Sequence, residues 1–410
     1  MALIVKKFGG SSVGSIEKIL DVARRVVDDK APDDKVVVVV SAMGDTTDEL
    51  IELAKGITKD PYRYPREMDM LMSIGEQQSI ALLTIALRKL GQKAISLTGT
   101  LAGIKTDSVY TKGKIVDIVP DRVKAELDKG NIVVVAGFQG VAENGDPITL
   151  GRGGSDTSAV ALAGTLKADV CEIYTDVDGV YSADPRLIKG ARKMKEITYD
   201  EMLEMARLGA GVMQLRSVEM GMLYNIPIHV RSTFTQKSGT IIRGEYTMEE
   251  KGFIIRGVAH DTKVAKIAIL GIPNNPGIAF SIFTALADAH VDVDMIVQSV
   301  RSMEIKTDMC FTVSLDDLWQ AKAVVDRVAG EMGADGILVE ENIAKISIVG
   351  AGMLGSPGIA ARMFGAIANQ GVNIEVISTS EISISCLIKA RDLEKAANAI
   401  HDEFFPNNEA

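Results

Sequence analysis

The chain has 410 residues, of which 47% are hydrophobic, and its formal net charge is −10. Its length is too great for one ordinary hydrophobic core and its apolar content too high for a disordered chain, so we expect two or three folded domains. The negative charge argues against nucleic acid or an anionic membrane as a main partner, and an anionic substrate would need a local positive cluster.

The cysteines and the N terminus indicate a reducing compartment. Three cysteines, Cys171, Cys310 and Cys386, lie far apart without the paired spacing of a disulfide framework or a zinc site. We predict no membrane-spanning stretch, and Lys6 and Lys7 interrupt the first apolar run, so a signal peptide is not expected. These features predict a cytoplasmic enzyme that does not act on membranes.

The first predicted strand, Ala2–Lys6, leads into Lys7-Phe8-Gly9-Gly10-Ser11-Ser12, and a helical pattern begins near Ser15. A cationic side chain before a turn rich in backbone N–H groups suits a bound phosphate. A Walker A loop is excluded because Ser15 stands where its lysine should be, and no protein-kinase glycine loop is present. A plain strand-to-helix turn remains the alternative.

Residues 1 to about 245 alternate apolar strands with helical runs, which predicts a mainly parallel sheet covered on both faces. Ligand sites in such sheets lie at the carboxyl ends of the strands. The predicted strands are Ala2–Lys6, Lys35–Ser41, Lys93–Leu97, Asn131–Ala136, Asp169–Thr175 and Pro227–Arg231. The predicted helices are Ser15–Asp28, Thr47–Lys55, Arg66–Leu90, Asp121–Lys129, Ser155–Leu166 and Tyr199–Tyr224.

A second candidate anion loop, Gly151–Ser158, opens the helix that begins near Ser155. Arg152 offers a bidentate fork for a carboxylate or phosphate. The adjacent glycines let a ligand approach the backbone. The alternative is that Ser155 or Asp156 merely caps the helix, but two such loops in one α/β domain favour ligand binding.

Two further groups of polar side chains are candidate ligand contacts, one after a predicted strand and one within a predicted helix. Ser41 to Thr47 come directly after five consecutive valines, although Asp45 or Thr46 could simply cap the next helix. Glu76 lies in an otherwise apolar helix. Such a residue is usually solvated, and only an amino group on the substrate would give it a function.

The segment Thr175–Arg186 is another strand end that leads into a turn-rich loop. Its aspartates do not have the EF-hand spacing, so a nucleotide loop with Tyr181 and Arg186 near base or phosphate is the better interpretation. The four histidines are scattered, so we predict neither a protein-held metal nor histidine-based catalysis.

The C-terminal part of the chain is a repeat. Lys266–Gly271 matches Lys345–Gly350, and Pro276–Ala279 matches Pro357–Ala360. A period of about 80 residues exceeds that of most solenoid repeats, so we predict two small α+β domains. The second copy runs out before its last strand, which is either missing or borrowed from elsewhere.

Taken in order, these motifs, together with Gly137-Phe138-Gln139-Gly140, resemble those of the aspartokinases in the amino acid kinase family. The repeats resemble paired ACT domains, and the resemblance covers essentially the whole chain. It implies an amino acid kinase fold followed by two ferredoxin-like ACT domains. The expected boundaries are 1–245 for the kinase domain, 246–262 for a linker, and 263–341 and 342–410 for the two ACT domains.

The resemblance also implies a reaction: phosphoryl transfer from ATP, with Mg²⁺, to the β-carboxylate of L-aspartate. This is the first committed step towards lysine, threonine and methionine. The implied catalytic residues are Lys7, Arg152 and Asp176. The implied ATP contacts are Lys7, Phe8, Gly9, Gly10, Ser11, Thr175, Asp176, Tyr181, Asp184 and Arg186. The implied aspartate contacts are Ser41, Thr47, Glu76, Arg152, Gly153, Gly154 and Ser155.

Feedback by lysine, threonine or both is implied through the ACT pair. Its implied effector contacts are Asn274, Gly277, Ala279, Asp294, Gln298, Asn373, Ile374, Ser380 and Glu381. A homo-oligomer is expected, or a heterotetramer with a regulatory subunit made from an internal start near Met248. The alternatives are a glutamate or acetylglutamate kinase, which generally lacks paired ACT domains, and a non-catalytic amino-acid sensor.

Overall fold

A computed structural model describes residues 1–246, 254–299, 306–353 and 356–406 of the chain. The chain forms two compact units, each described below by itself. Unit 1 comprises Met1–Val180, Lys193–Ala206 and Gly211–Gly252. Unit 2 comprises Tyr181–Arg192, Arg207–Ala210 and Phe253–Ala410.

Unit 1 is built on an eight-stranded sheet and a small four-stranded sheet. Its strands are β1 (Leu3–Phe8), β2 (Lys35–Val40), β3 (Ala94–Leu97), β4 (Ile104–Thr106), β5 (Ile115–Ile118), β6 (Ile132–Ala136), β7 (Gln139–Val141), β8 (Pro147–Thr149), β9 (Val170–Thr175), β10 (Glu196–Thr198), β11 (Ile228–Ser232) and β12 (Thr240–Arg243). The large sheet has the order β10-β12-β11-β9-β1-β2-β6-β3, and the small one β5-β4-β7-β8. The carboxyl ends of β9, β1, β2 and β6 therefore lie side by side, since these four strands are mutually parallel.

The centre of the large sheet is buried on both faces, as its composition predicts. Each of Val36 to Val40 is at most 1% exposed, and Phe8 stacks on Tyr174 with ring centroids 4.4 Å apart. Burying a valine side chain contributes roughly 1.5–3 kcal/mol, so this strand anchors the sheet. The β1–β2 pairing is continuous from Leu3 with Lys35 to Phe8 with Val40, which fixes where both strands end.

Eight helices lie in the described part of unit 1, and two runs predicted as single helices are each broken. Helices are α1 (Ile16–Asp28), α2 (Thr46–Lys55), α3 (Pro65–Met72), α4 (Ile74–Lys89), α5 (Asp121–Asp128), α6 (Gly154–Leu166), α7 (Tyr199–Arg207) and α8 (Leu215–Tyr224). The first run divides at Ser73. The second divides around Gly209, whose φ of +108° is one that L side chains rarely adopt.

The run Pro65–Lys89 corrects one expectation from the sequence. It is 25 residues long and apolar enough to cross a membrane by length and composition alone, although no such stretch was predicted. Of its most apolar window, 56% is buried inside the protein. A core helix of a folded domain shows the same property.

Unit 2 contains two four-stranded antiparallel sheets with helices. Its elements are β13 (Gly257–Asp261), β14 (Val264–Pro273), α9 (Ile278–Asp288), β15 (Val293–Gln298), β16 (Lys306–Ser314), α10 (Leu318–Met332), β17 (Gly336–Glu340), β18 (Ile343–Val349), α11 (Ile359–Asn369), β19 (Val376–Thr379), β20 (Ser383–Lys389) and α12 (Leu393–Phe404). Both repeats show the predicted order of strand, turn, helix, two strands and helix. The matching turns place Gly277 and Gly358 before the helices with φ of +96° and +93°.

The second repeat obtains its fourth strand from upstream in the chain. One sheet has the order β15-β16-β14-β17, and the other β19-β20-β18-β13. Strand β13 thus occupies, beside β18, the place that β17 occupies beside β14. The segment 246–262 was predicted to be a linker, but its residues 257–261 form this strand. An unpaired edge of β18 would expose a row of N–H and C=O groups, and β13 satisfies them.

A short piece of the N-terminal half of the chain also belongs to unit 2. Residues Tyr181–Arg192, which follow β9, contribute Ala183 and Ile188 to the hydrophobic core formed around β18 and α12. This membership was not predicted, because the segment reads in sequence as a polar, turn-rich loop.

Candidate active site

Lys7, near the end of β1, lies at the carboxyl edge of the large sheet, directly before the glycine turn. Lys7 is 8% exposed, and its Nζ lies 2.6 Å from Oδ1 of Asp156 near the start of α6. The next residues, Gly10–Ser12, form a short helical turn, and the leading N–H groups of such a turn have no partner inside it. A buried ammonium beside these donors can bind an anion.

Gly10 fits tightly against the turn that follows β2. A Cβ at Gly10 would lie 3.0 Å from the carbonyl oxygen of Ala42, and the Gly44 N–H donates to the Gly10 carbonyl at 3.1 Å. Ser41 is tied to the same edge, since its N–H donates to the Phe8 carbonyl at 3.1 Å. The ends of β1 and β2 therefore form one interlocked surface.

Glu76 lies beneath this surface and is almost completely buried, with 2% exposure. Its Oε1 accepts a hydrogen bond from the Ala42 N–H at 3.1 Å, while Oε2 is buried with no hydrogen-bond partner among the described residues. Burial raises the pKa of Glu76 to about 7. Gly75 permits this approach, because a Cβ there would lie 2.7 Å from that of Ala42.

The loop before α6 holds the second predicted cation. Arg152 is exposed and lies between Gly151 and Gly153, with φ of +71° and +72°. Its guanidinium forms no hydrogen bond or ion pair with the described residues, so it is available to a ligand. Ser155 is 8% exposed and adjoins Gly137 at the end of β6, where a Cβ would lie 2.8 Å from that of Ser155.

The end of β9 is joined to the glycine turn through Thr233, which follows β11. The Thr233 N–H donates to the Thr175 carbonyl at 2.9 Å, and its hydroxyl shares a hydrogen bond of 2.6 Å with that of Ser12. The Thr175 hydroxyl donates to Oδ1 of the exposed Asp176 at 3.0 Å.

Unit 1 therefore brings together most of the side chains predicted for substrate and phosphate. Thr47, on α2, is half-buried beside the β2 turn, whereas the side chain of Phe8 packs in the core and leaves only its backbone for a ligand. Gly154 is buried at the start of α6.

Tyr181, Asp184 and Arg186, the other predicted nucleotide contacts, belong to unit 2. Oδ1 of Asp184 accepts from Nε of Arg186 at 3.0 Å, and Oδ2 accepts from Nη2 at 2.8 Å. These bonds and the charge of Arg186 hold the pKa of Asp184 below its usual value.

The predicted effector residues all lie in the described part of unit 2. In the first repeat, Asn274, Gly277 and Ala279 lie around the turn into α9, and Asp294 and Gln298 on β15. In the second, Asn373 and Ile374 precede β19, and Ser380 and Glu381 form the turn before β20. Ile374 also lines a cavity of about 650 Å³, and Lys266 and Cys310 from the first repeat line the same cavity.

Asp294 is already paired, because Nζ of the buried Lys345 on β18 lies 2.7 Å from its Oδ2. Burial alone would raise the pKa of Asp294, but the hydrogen bond and charge of Lys345 hold it below its usual value.

Sequence reasoning missed three residues of the site. Asp156 was considered only as a helix cap, but it pairs with Lys7; Ser12 and Thr233 join two strand ends. A signal for Asp156 exists, since an acid in the first turn of a helix that follows a ligand loop can also face that ligand. No sequence signal places Thr233 beside Ser12, because the two are 221 residues apart.

Comparisons with known proteins identify the domain families of the chain. The profile of the amino acid kinase family matches residues 2–232, and that of the ACT domain matches 267–328 and 346–404. Fold and site thus define a class of enzyme, an amino acid kinase joined to ACT domains.

Individual relatives identify the family of the chain within this class of enzyme. The aspartokinase of Mycolicibacterium smegmatis is 48% identical over 409 residues, which cover 98% of this chain and 96% of that protein. The aspartate kinase of Pseudomonas putida is 49% identical over 406 residues, 98% of each chain. The chain belongs to the aspartokinase family, as its motifs predicted.

Solved structures show the same fold. The aspartate kinase of Synechocystis is 47% identical with a TM-score of 0.55, over 98% of this chain and 69% of that one. E. coli aspartokinase III in complex with aspartate and ADP has a TM-score of 0.80 at 22% identity, over 98% of this chain and all of that one.

Proposed function

We propose that the chain transfers the γ-phosphoryl group of MgATP to the β-carboxylate of L-aspartate, giving 4-phospho-L-aspartate and ADP. Membership of the aspartokinase family supports this reaction. The distantly related E. coli aspartokinase III is described in complex with aspartate and ADP. The product is an activated acyl phosphate, suited to the first step towards lysine, threonine and methionine.

The reaction needs positioning and charge neutralisation more than proton transfer. A carboxylate is already a nucleophile, so no general base is required. Lys7 would neutralise charge on the transferred phosphoryl group, with the backbone of Gly9, Gly10 and Ser11 around it. Asp156 would hold the Lys7 ammonium in place before the nucleotide arrives, because its Oδ1 lies 2.6 Å away.

The observation that carries the choice of substrate is the unpaired Oε2 of Glu76. A buried carboxylate with only one backbone partner is costly and would gain most from a cationic donor. The α-amino group of aspartate is such a donor, and the acylated nitrogen of acetylglutamate is not. Glu76 therefore favours a free amino acid over an N-acylated one.

The remaining contacts follow from the same edge of the sheet. Arg152 would bind the α-carboxylate in a bidentate fork, with Gly153, Gly154 and Ser155 beside it. Ser41 and Thr47 would complete the aspartate site.

ATP would be held by Lys7, the backbone of Phe8 to Ser11, Thr175 and Asp176, together with Tyr181, Asp184 and Arg186. Among the described residues, no group of three His, Cys, Asp or Glu side chains could hold a metal ion. Mg²⁺ would enter as part of the MgATP substrate, bound by phosphate oxygens and water.

Regulation and assembly complete the proposal. Lysine, threonine or both would bind at the ACT repeats and inhibit a cytoplasmic homo-oligomer. Alternatively, a regulatory subunit made from Met248, which lies outside the described residues, would form a heterotetramer. A start there would still include β13 and so every strand of both sheets in unit 2.

A hydroxylamine trap tests the reaction, because acyl phosphates yield hydroxamates. With MgATP, the chain should give hydroxamate from L-aspartate and not from L-glutamate or N-acetyl-L-glutamate. Lys7→Ala should lower the rate at least 100-fold, while Lys35→Ala, at the opposite end of the sheet, should not. No hydroxamate from any of the acids would favour the sensor, and preference for another acid would favour a different kinase.

A further inference from the structure

The loop that carries Tyr181, Asp184 and Arg186 is fastened to the second repeat of unit 2 by a set of specific contacts. Ser182 is 2% exposed, and its carbonyl accepts from the Val258 N–H of β13 at 2.7 Å. Its N–H donates to the Arg192 carbonyl at 2.8 Å, which closes the loop on itself. Every backbone polar group of Ser182 is thus satisfied within unit 2.

The Ser182 side chain contacts the last helix of the chain. Its Oγ accepts from the Arg192 N–H at 2.9 Å and lies 2.9 Å from Nε2 of His401, on α12. The hydroxyl can donate to Nε2 while it accepts from Arg192, and in that arrangement the neutral His401 ring carries its proton on Nδ1. His401 is 1% exposed, and burial lowers its pKa, which favours the neutral imidazole that this role requires.

Further contacts hold both halves of the loop on α12. Nη2 of Arg192 donates to the carbonyls of Phe405 and Pro406 at 3.2 and 2.6 Å, where a cation also complements the helix dipole. Nδ2 of Asn398 donates to the Leu187 carbonyl at 3.3 Å. The His401 ring stacks on Phe405 with centroids 4.7 Å apart.

The base of the same loop is fastened within unit 1. The Thr240 hydroxyl accepts from the Val180 N–H at 2.8 Å and donates to the Met194 carbonyl at 2.6 Å. The two chain ends of the loop are thus clamped by one threonine, while the loop itself is built into the core of the second repeat. Because of these contacts, a shift of α12 or β13 would also move the segment from Tyr181 to Arg186.

We propose that Ser182 and His401 are positioning residues for nucleotide binding, through which the second ACT repeat sets the affinity of the loop for ATP. This inference rests on the proposed function, because it takes Tyr181, Asp184 and Arg186 to be nucleotide contacts. It gives the last helix of the chain a role in the kinase reaction without any contact to a reacting atom. A ligand that favours one placement of α12 changes nucleotide affinity by its differential affinity for that placement.

The test uses the full chain and measures ADP binding by calorimetry together with the KM for ATP, the KM for aspartate and kcat. The variants are Ser182→Ala, His401→Phe, which keeps the stacked ring but removes the acceptor, and the double variant. His401→Gln restores a neutral acceptor near the position of Nε2. Glu403→Gln, on the same helix but exposed and paired with Arg362, is the matched control.

Each single variant should raise the ADP Kd and the KM for ATP about tenfold, the effect of losing one buried hydrogen bond. The KM for aspartate and kcat should stay within about twofold, and the double variant should add little, because one interaction is lost only once. His401→Gln should recover most of the affinity, and Glu403→Gln should not change it.

Unchanged nucleotide affinity in Ser182→Ala and His401→Phe overturns the inference. The inference is also overturned if these variants lower kcat, the affinity for nucleotide, the affinity for aspartate and the unfolding temperature together. That result would indicate a purely structural role. If the unmutated chain binds ADP but yields no acyl phosphate, the proposed function fails while the ADP measurements still decide this inference. If it does not bind ADP, both fail.

Discussion

At the scale of single residues, Glu76 is an acid that the fold destabilises in its ionised form. Its pKa rises from 4.5 to about 7 because it is buried. The folded state therefore binds the proton more tightly than the unfolded state, and the free energy of unfolding falls as pH rises from about 4.5 to about 7. The ionised Glu76 carboxylate thus lowers the free energy of unfolding, and it can bind a cationic ligand.

Glu76→Gln should raise the free energy of unfolding at pH 8 by up to about 3 kcal/mol, since each pKa unit corresponds to about 1.4 kcal/mol. Near pH 4.5 the two proteins should be equally stable, and urea unfolding at both pH values measures this. The same substitution should raise the KM for aspartate more than tenfold. A variant less stable than the parent at pH 8 would contradict the assignment.

The pair of Lys7 and Asp156 offers a second prediction at this scale. Asp156→Asn should lower kcat about tenfold, because the neutral amide holds the ammonium less firmly. Asp128→Asn is the matched control. It breaks an ion pair of 2.7 Å with Lys35, and the Asp128 side chain is largely exposed. Exposed pairs contribute little, so the control should leave kcat unchanged. Equal rates in both variants would remove Asp156 from the site.

At the scale of elements, strand β13 decides where an independently folding regulatory piece can begin. Ile255, Val258 and Ala259, at or beside this strand, are at most 4% exposed. A fragment 248–410 should therefore unfold cooperatively, whereas 263–410 should be several kcal/mol less stable or aggregate, because the edge of β18 is left open. Urea unfolding of the two fragments measures this. Equal stability would show that β13 is dispensable.

Six of the eight strands of the large sheet could be predicted, because they are continuous apolar runs, whereas the short strands β10 and β12 were not predicted. The run Lys35–Ser41 predicted β2 to within one residue of Lys35–Val40. The small sheet of unit 1 was not predicted, since β4, β7 and β8 have only three residues each and mix polar with apolar side chains. Partners distant in sequence, such as β13 with β18, leave no local signal at all.

At the scale of the whole molecule, the site was predictable where ligand chemistry dictates residue types and not where folding brings distant residues together. Lys7, Arg152 and Glu76 were singled out from their neighbours in sequence alone. The attachment of Tyr181–Arg192 to unit 2 was not, because nothing in its sequence names Val258 or His401 as a neighbour. The contacts that sequence reasoning missed matter most for regulation, because they attach Tyr181–Arg192 to the second repeat.

The proposed effector control is tested on the whole chain. Lysine, threonine or the two together should inhibit the aspartate-dependent rate. Asp294→Asn should weaken that inhibition about tenfold, because it removes the charge of a predicted effector contact that pairs with Lys345. Asp288→Asn, at the end of α9 in the same repeat, serves as the control in inhibitor titrations. Inhibition that is identical in parent and Asp294→Asn would place the effector elsewhere.

The central claim is that the β-carboxylate of aspartate receives the phosphoryl group, and nuclear magnetic resonance tests it directly. With MgATP and aspartate labelled with ¹³C at C4, the chain should produce a shifted C4 signal coupled to a new acyl phosphate ³¹P resonance. Aspartate labelled at C1 should show no such coupling. Coupling at C1, or ATP consumption with no change at either carbon, would contradict the account.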